Sequence, residues 1–283
     1  SDVCSSDLQG DTGAQGDTGA QGSQGYTGAQ GSQGLQGFTG DSGVGTALTE
    51  AFTVVGGNGL YYSYDGILWN TSVTGSSLLN GGIITFVIWN GDYWLAGGTN
   101  GSSGGRLIIS ADGINWSVVS SMDNLQGIRG SVQSGAWNGN MWMVTVYNYN
   151  GSNTLYSSYD AITWTVGSVP SHCIIGSPAI WVNFGYASIY YSYTGTNWTI
   201  STSASAIFYG SAAVRNIGYG NSLWVAVGVN SGGAAIAYST DGINWTGRGS
   251  TVFTQYGYGV AYGQDGSGAG LWVAVGLGGN SIA

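Results

Sequence analysis

Four aspartates, Asp65, Asp112, Asp160 and Asp241, stand at one place in a phrase, Ser-x-Asp-Gly-x-x-Trp, that recurs along the chain. Carboxylates on a turn are the raw material of a calcium site, which gathers about six to eight oxygens. Here each turn supplies a single carboxylate and the four belong to different repeats, so turn-making explains them first: an aspartate side chain accepts hydrogen bonds from the amides that follow it. No metal ligand is assigned. His172, the only histidine, adjoins Cys173, the residue types of a nucleophile and its base. Neighbours on a strand point to opposite faces and no acid stands nearby to orient the imidazole, so no catalytic residue and no cofactor site is assigned. The 19 tyrosines and 12 tryptophans could stack on sugar rings, but most recur at fixed repeat positions where packing accounts for them. Tyr147, Tyr149, Tyr209 and Tyr256, read as loop residues, are the candidates for ligand contact.

Composition narrows the partners. Only 6% of the 283 residues are charged, there is no lysine, and Arg106, Arg129, Arg215 and Arg248 face 13 acids. Binding a phosphate backbone needs clustered cations, so nucleic acid is excluded as a partner, and the same deficit argues against an anionic membrane surface. The longest apolar stretch of the globular part, Ile83 to Trp89 with Thr85 inside it, is too short to cross a bilayer, so no membrane insertion is expected. Cys4 and Cys173 belong to different segments and build neither a disulfide framework nor a cysteine metal cluster.

The elements that carry the repeated phrase follow from its spacing. It occurs at Ser63, Asp65, Gly66 and Trp69; at Ser110, Asp112, Gly113 and Trp116; at Ser158, Asp160 and Trp164, with Ala161 for glycine; at Ser192, Gly195 and Trp198, with Thr194 for aspartate; and at Ser239, Asp241, Gly242 and Trp245. The intervals between these tryptophans are 47, 48, 34 and 47 residues. A period of that length, built of short strands, is a propeller signature. In the fifth unit Ser211–Tyr219, Leu223–Gly228, Ala234–Ser239 and Ile243–Thr246 read as four strands, with Asp241-Gly242 as the turn and Trp245 as an apolar plug between blades. The short interval predicts a trimmed fourth unit around His172 and Pro178. Leu271-Trp272-Val273-Ala274-Val275-Gly276 repeats Leu223-Trp224-Val225-Ala226-Val227-Gly228. The predicted fold is therefore all-β, a propeller of four-stranded blades with six visible and the last incomplete. A first unit starting at Ala51 without a clear inner strand suggests that ring closure uses a strand from beyond residue 283.

These phrases resemble the Asp-box hairpin, Ser/Thr-x-Asp-x-Gly-x-Thr-Trp, of sialidase-type and related propellers. The resemblance implies a structural role at the periphery of the wheel. The present copies lack the spacer before glycine and mostly carry Asn for the threonine. Sialidase chemistry would further need three convergent arginines and a tyrosine nucleophile beside a glutamate. The four arginines fall at unrelated places in their units, and the single glutamate, Glu50, lies at a domain boundary; the reading is of a non-enzyme.

A second, unrelated period precedes the head. From Gly10 to Gly43 every third residue is glycine, twelve in unbroken register. Such a register is required only where three extended chains meet at an axis too crowded for a side chain, and as a triple helix it would span roughly 100 Å. Without proline between the glycines, Gln and Thr must supply the interchain hydrogen bonds. The segment resembles the collagen-like repeats of bacterial surface proteins and of virus or phage fibres, which implies a trimeric stalk carrying a C-terminal head. The organisation expected is residues 1–8 unstructured or foreign to the natural protein, 9–43 stalk, 44–50 linker and 51–283 propeller, cut short at its C-terminus.

The functional expectation is a non-enzymatic surface or fibre protein, extracellular or on a virion. It would be a homotrimer through residues 10–43, presenting propeller heads to a glycan or protein receptor. Two other readings stand beside it: a glycoside hydrolase or lyase with its catalytic groups beyond residue 283, and a purely structural spacer.

Overall fold

The computed structural model describes residues 52–56, 58–101, 104–123, 130–148, 150–170, 173–185, 188–208, 214–229, 235–249, 251–264 and 270–279. The expectations for residues 1–8, the Gly-x-y tract and the linker 44–50 lie outside them, as do Glu50, Arg129, His172, Tyr149 and Tyr209.

The described chain forms six antiparallel sheets in sequence order. The first holds β1 (Phe52–Gly56), β2 (Gly59–Ser63) and β3 (Asn70–Thr71), and is followed by a short helix α1 (Val73–Leu79). The second holds β4 (Ile84–Trp89), β5 (Trp94–Asn100), β6 (Gly104–Ser110) and β7 (Ser117–Val118), followed by α2 (Ser120–Asp123). The third holds β8 (Gly130–Trp137), β9 (Trp142–Asn148), β10 (Asn153–Ser158) and β11 (Thr165–Ser168), and among the described residues no helix follows it. The fourth consists of β12 (Cys173–Gly176), β13 (Trp181–Gly185), β14 (Ser188–Ser192) and β15 (Thr199–Ile200), with α3 (Thr202–Ile207) after it. The fifth is β16 (Val214–Gly220), β17 (Leu223–Gly228), β18 (Ile236–Ser239) and β19 (Thr246–Gly247), and the sixth pairs β20 (Phe253–Gln264) with β21 (Gly270–Gly279). Each sheet is a simple meander, and the first strands β4, β8, β12, β16 and β20 pack against one another in succession. That arrangement is an all-β propeller, with these strands innermost and the sheets as blades.

The short fourth unit keeps all four strands, and among the described residues no helix stands between β11 and β12, where the first, second and fourth blades are each followed by one. Strand bounds of the fifth unit need correction. The fourth strand of the fifth blade is Thr246–Gly247 rather than Ile243–Thr246, because the amides of Ile243 and Asn244 donate to the Asp241 carboxylate and not to the sheet ladder. Its third strand is described from Ile236 and its first as Val214–Gly220, the expected starts at Ser211 and Ala234 lying outside the described residues. The expected three-strand character of the first blade is present: β2, which ends at the Ser63 phrase, corresponds to the third strand of the other blades, and no described strand lies inside β1.

Five apolar clusters fill the five contacts between successive blades. One joins Leu95 and Leu107 of the second blade to Val132, Trp142, Val144 and Val146 of the third. Another joins Val182, Phe184 and Ile189 of the fourth to Ile217, Trp224 and Trp245 of the fifth. The core is thus strung between blades, so a strand covered on both faces reads as a nearly continuous apolar run, as Leu223–Gly228 does. Trp142, Trp181 and Trp224, at the head of each second strand, are at most 1% exposed. Beside β21, where no described strand or blade covers it, the corresponding row Leu271, Val273, Val275 and Leu277 is exposed.

Close approach of the inner strands is what the glycines and bulges serve. β4, β8 and β16 each carry a register shift near the start of their pairing, between Ile84 and Phe86, Val132 and Ser134, and Val214 and Asn216. A bulge re-aims a side chain out of the alternating pattern. Thr85, the extra residue of β4, donates its hydroxyl to the Val132 carbonyl of the next blade at 2.6 Å. Ser134 exchanges hydrogen bonds of 3.2 Å with the backbone of Ile174, and Asn216 Oδ1 accepts from the Val260 amide at 3.0 Å. The second, third and fifth blades are thus stitched to the next near the axis.

Gly98 shows how tight this packing is. A Cβ there would sit 1.9 Å from the Ile83 carbonyl oxygen and 2.8 Å from the Ile84 Cα, backbone that moves only if β4 parts from β5. Gly98→Ala is expected to lower the unfolding free energy by about 3 kcal/mol in urea titrations followed by tryptophan fluorescence. Gly263→Ala on β20, where a Cβ meets nothing within 4 Å, should leave it unchanged or raise it by up to about 1 kcal/mol.

Candidate functional site

The repeated phrase builds one turn five times. In the second to fifth blades the phrase serine ends the third strand, paired across the ladder with the tryptophan that opens the second: Trp94 with Ser110, Trp142 with Ser158, Trp181 with Ser192, Trp224 with Ser239; in the first sheet Ser63 ends β2 and pairs with Phe52 of β1. Asp65 Oδ1 accepts from the amides of Ile67 and Leu68, both at 2.8 Å, and the same oxygen of Asp112, Asp160 and Asp241 takes the equivalent pair at 2.7 to 2.8 Å. Ser63, Ser110 and Ser239 donate their hydroxyls to that carboxylate and accept the amide of the turn glycine. Gly66, Gly113, Gly195 and Gly242 have φ between 72° and 79°, the left-handed region glycine enters without strain. Ala161 holds φ 56° at the same place with its side chain fully buried.

The turn aims its tryptophan. The indole N–H of Trp116, Trp164 and Trp245 folds back onto the carbonyl of the turn residue three before it, at 3.0, 3.0 and 3.2 Å. It also presents one carbonyl outward, and here the sequence reading missed a set of residues. Ser72, which caps α1 by accepting the Gly75 amide, donates to the Ile114 carbonyl in the next blade at 2.7 Å. Thr74 donates to the same carbonyl and accepts the Trp116 amide, both at 3.0 Å. Ser201 and Ser203 at the start of α3 repeat this on Ile243 and Trp245, and Ser121 of α2 donates to Ile162. A helix leaving one blade thus latches the turn of the next. The signal was present as Ser at three and Ser or Thr at five residues after Trp69 and Trp198; without the helices it had no visible purpose.

The fourth turn departs from the others. Ser192 still accepts the Gly195 amide at 2.8 Å, but Thr194 offers only a hydroxyl, 2.8 Å from that of Thr196 and 3.3 Å from its amide. Among the described residues no helix precedes this blade, and no hydroxyl reaches the Thr196 carbonyl or the Trp198 amide. The Trp198 indole N–H is buried without a partner.

The structure does not bring the candidate tyrosines together. Tyr147 lies near the outer end of β9 in the third blade and Tyr256 near the start of β20 in the sixth. Tyr256 packs at 5.9 Å from Tyr258, and the Arg215 guanidinium sits 5.7 and 5.3 Å from the two ring centres. Cys173 is largely buried, and that burial pushes its thiol up to about 11, which keeps it protonated and unreactive at neutral pH. A hollow of about 300 Å³ lies between the inner strands, bounded by Ile88, Trp137, Ile174, Phe184, Ser134 and Asn216; its two polar side chains are those already bound to neighbouring backbone. Among the described residues no three of His, Cys, Asp and Glu gather to hold a metal ion, and no helix is long and apolar enough to cross a membrane.

No protein-family model matches the chain, and no curated protein matches it. Solved structures similar to it include YCF48 bound to D1 peptide, with TM-score 0.47 and 16% identity over 68% of this chain and 60% of that one. A Niastella koreensis GH74 enzyme gives TM-score 0.46 and 20% identity over 70% of this chain, which spans only 29% of that structure's length. TolB from Acinetobacter baumannii gives 0.48 and 14% over 82% and 62% of the two chains.

Two outcomes test the turns. Burial works to raise the Asp241 carboxyl, but the amide and side chain of Asn244 with the Ile243 amide and Ser239 hydroxyl outweigh it and hold the group at about 2. Asp65 is lowered chiefly by the Leu68 and Ile67 amides, while Asp112 and Asp160 are lowered by similar bonds against opposing burial. A carboxyl lowered on folding stabilises above its unfolded value, near 3.9, and loses that contribution as pH falls through its folded value. The melting temperature of the head should therefore drop between about pH 4 and pH 2, and Asp241→Asn, which keeps the acceptor oxygen, should shrink the drop. Ser201→Ala removes both a helix cap and an interblade bond, and is expected to cost about 1–2 kcal/mol in denaturant titrations at neutral pH.

Proposed function

We propose that this chain is a non-enzymatic attachment protein of a cell or virion surface, in which a trimeric collagen-like stalk presents propeller heads to a glycan or protein receptor. The observation that carries the reading is the unbroken glycine register from Gly10 to Gly43, which serves three chains sharing an axis and has no use in a single one. The head supports it in a second way. Its recurring carboxylates Asp65, Asp112, Asp160 and Asp241 are each spent on their own backbone amides, so the residues best able to act as acids or nucleophiles serve as fasteners. Linking three heads through one stalk multiplies weak contacts, since the second and third binding events become intramolecular.

Sedimentation of stalk and head together tests the assembly. The expected species in the cold at micromolar concentration is a trimer, which Gly25→Ala should weaken because the register tolerates no side chain at the axis. A monomer under those conditions overturns the reading.

A further inference from the structure

We propose that the cleft between the third and fourth blades is a binding site for a neutral saccharide, one of whose hydroxyls takes the place that a serine or threonine hydroxyl fills at the other latched junctions. The inference deepens the attachment reading and rests on it.

At three junctions a hydroxyl from the preceding helix donates to the carbonyl three residues after the turn's second position, on Ile114, Ile162 and Ile243. Where the helix is long enough, a second hydroxyl accepts the amide of the box tryptophan, on Trp116 and Trp245. Between the third and fourth blades β11 runs on where a helix would start, and among the described residues none stands between it and β12. The space so left is a cleft of about 410 Å³ lined by Ser168, Val169, Pro170, Thr196, Asn197 and Trp198. That volume lies within the usual range of small-molecule sites, about 300–1,000 Å³.

Its chemistry is specific. Trp198 supplies a buried indole N–H without an acceptor, whereas the indoles of Trp116, Trp164 and Trp245 have theirs within their own turns. A buried donor left unmet is costly, and a ligand oxygen that reaches it on a small turn of the indole toward the cleft gains accordingly. Beside it stand the Thr196 carbonyl, the acceptor of the missing latch, and the exposed side chains of Asn197 and Ser168. Val169, Pro170 and the indole make an apolar wall, and among the described residues no charged side chain lines the cleft. An uncharged ligand that offers hydroxyls able both to donate and to accept, on a ring with an apolar face, is a sugar.

The experiment is an array of neutral and sialylated glycans probed with the full chain, followed by calorimetry of the strongest neutral glycan against variants whose melting temperatures are unchanged. Trp198→Phe keeps the ring and removes the N–H; it should weaken binding about tenfold. Asn197→Ala, on the exposed rim, should weaken it severalfold. Trp164→Phe, at the equivalent place in the third blade, should leave it within twofold. A glycan bound equally well by wild type, Trp198→Phe and Asn197→Ala overturns this site while the attachment reading stands. A synthetic peptide copying residues 201–208 is titrated alongside; Trp198-dependent binding of that peptide with a blank array makes the cleft a protein-docking site and overturns the saccharide. A blank array with no peptide binding overturns the cleft as a binding site and removes glycan from the attachment reading, leaving the sedimentation result to judge the stalk.

Discussion

One oxygen atom, Oδ1 of the box aspartate, holds two successive amides, and most of the head's geometry hangs from that grip. With the turn fixed, the tryptophan three residues on is delivered between blades, its N–H closed on the turn carbonyl, and another carbonyl is left facing the helix of the preceding blade. Local hydrogen bonding is thereby converted into alignment between sheets. An exposed carboxylate taking two amides contributes modestly by itself. Its weight comes from repetition and from what it positions, a side chain as large as Trp116 or Trp245 buried to 5% exposure. Trp69 shows the converse: no described helix precedes its blade, and it stands 43% exposed.

Much of this was legible in the sequence because it is periodic. The phrase spacing gave blades, the Asp-Gly pair gave the turn, and the copy of Leu223–Gly228 at Leu271 gave the sixth sheet. Strand ends were misplaced where a side chain competes with the ladder for an amide, as Asp241 does at Ile243 and Asn244, since that competition has no periodic trace. The helices were missed because they span six or seven residues at most and lack charged caps; Ser72 and Ser201 cap them with hydroxyls, residues that read equally well as loop. The shortened interval was visible, but its meaning was not: among the described residues no helix stands there, which only the other junctions reveal as something missing. Binding residues were the least legible, since Tyr147 and Tyr256 belong to sheets three blades apart and tyrosine recurs too often to mark a place.

The fourth blade departs from the pattern at several points together. It has Thr194 for aspartate, no bulge in β12, and, among the described residues, no helix ahead of it. Within the blade Asn183 of β13 donates to the Cys173 carbonyl of β12 at 2.7 Å. In a repeat structure each unit answers only to its neighbours, so such a set of changes can collect at one junction without disturbing the rest. The interval of 34 residues between Trp164 and Trp198 is the imprint of that local freedom.

The missing latch also bears on how the wheel comes apart. Between the third and fourth blades the two halves are joined by the Ser134 stitch and one apolar cluster, while the seam before it has a peripheral clasp as well and the seam after it a clasp in place of the stitch. The fourth blade is thus fastened near the axis on one side and at the rim on the other, so its two seams resist opening at opposite edges.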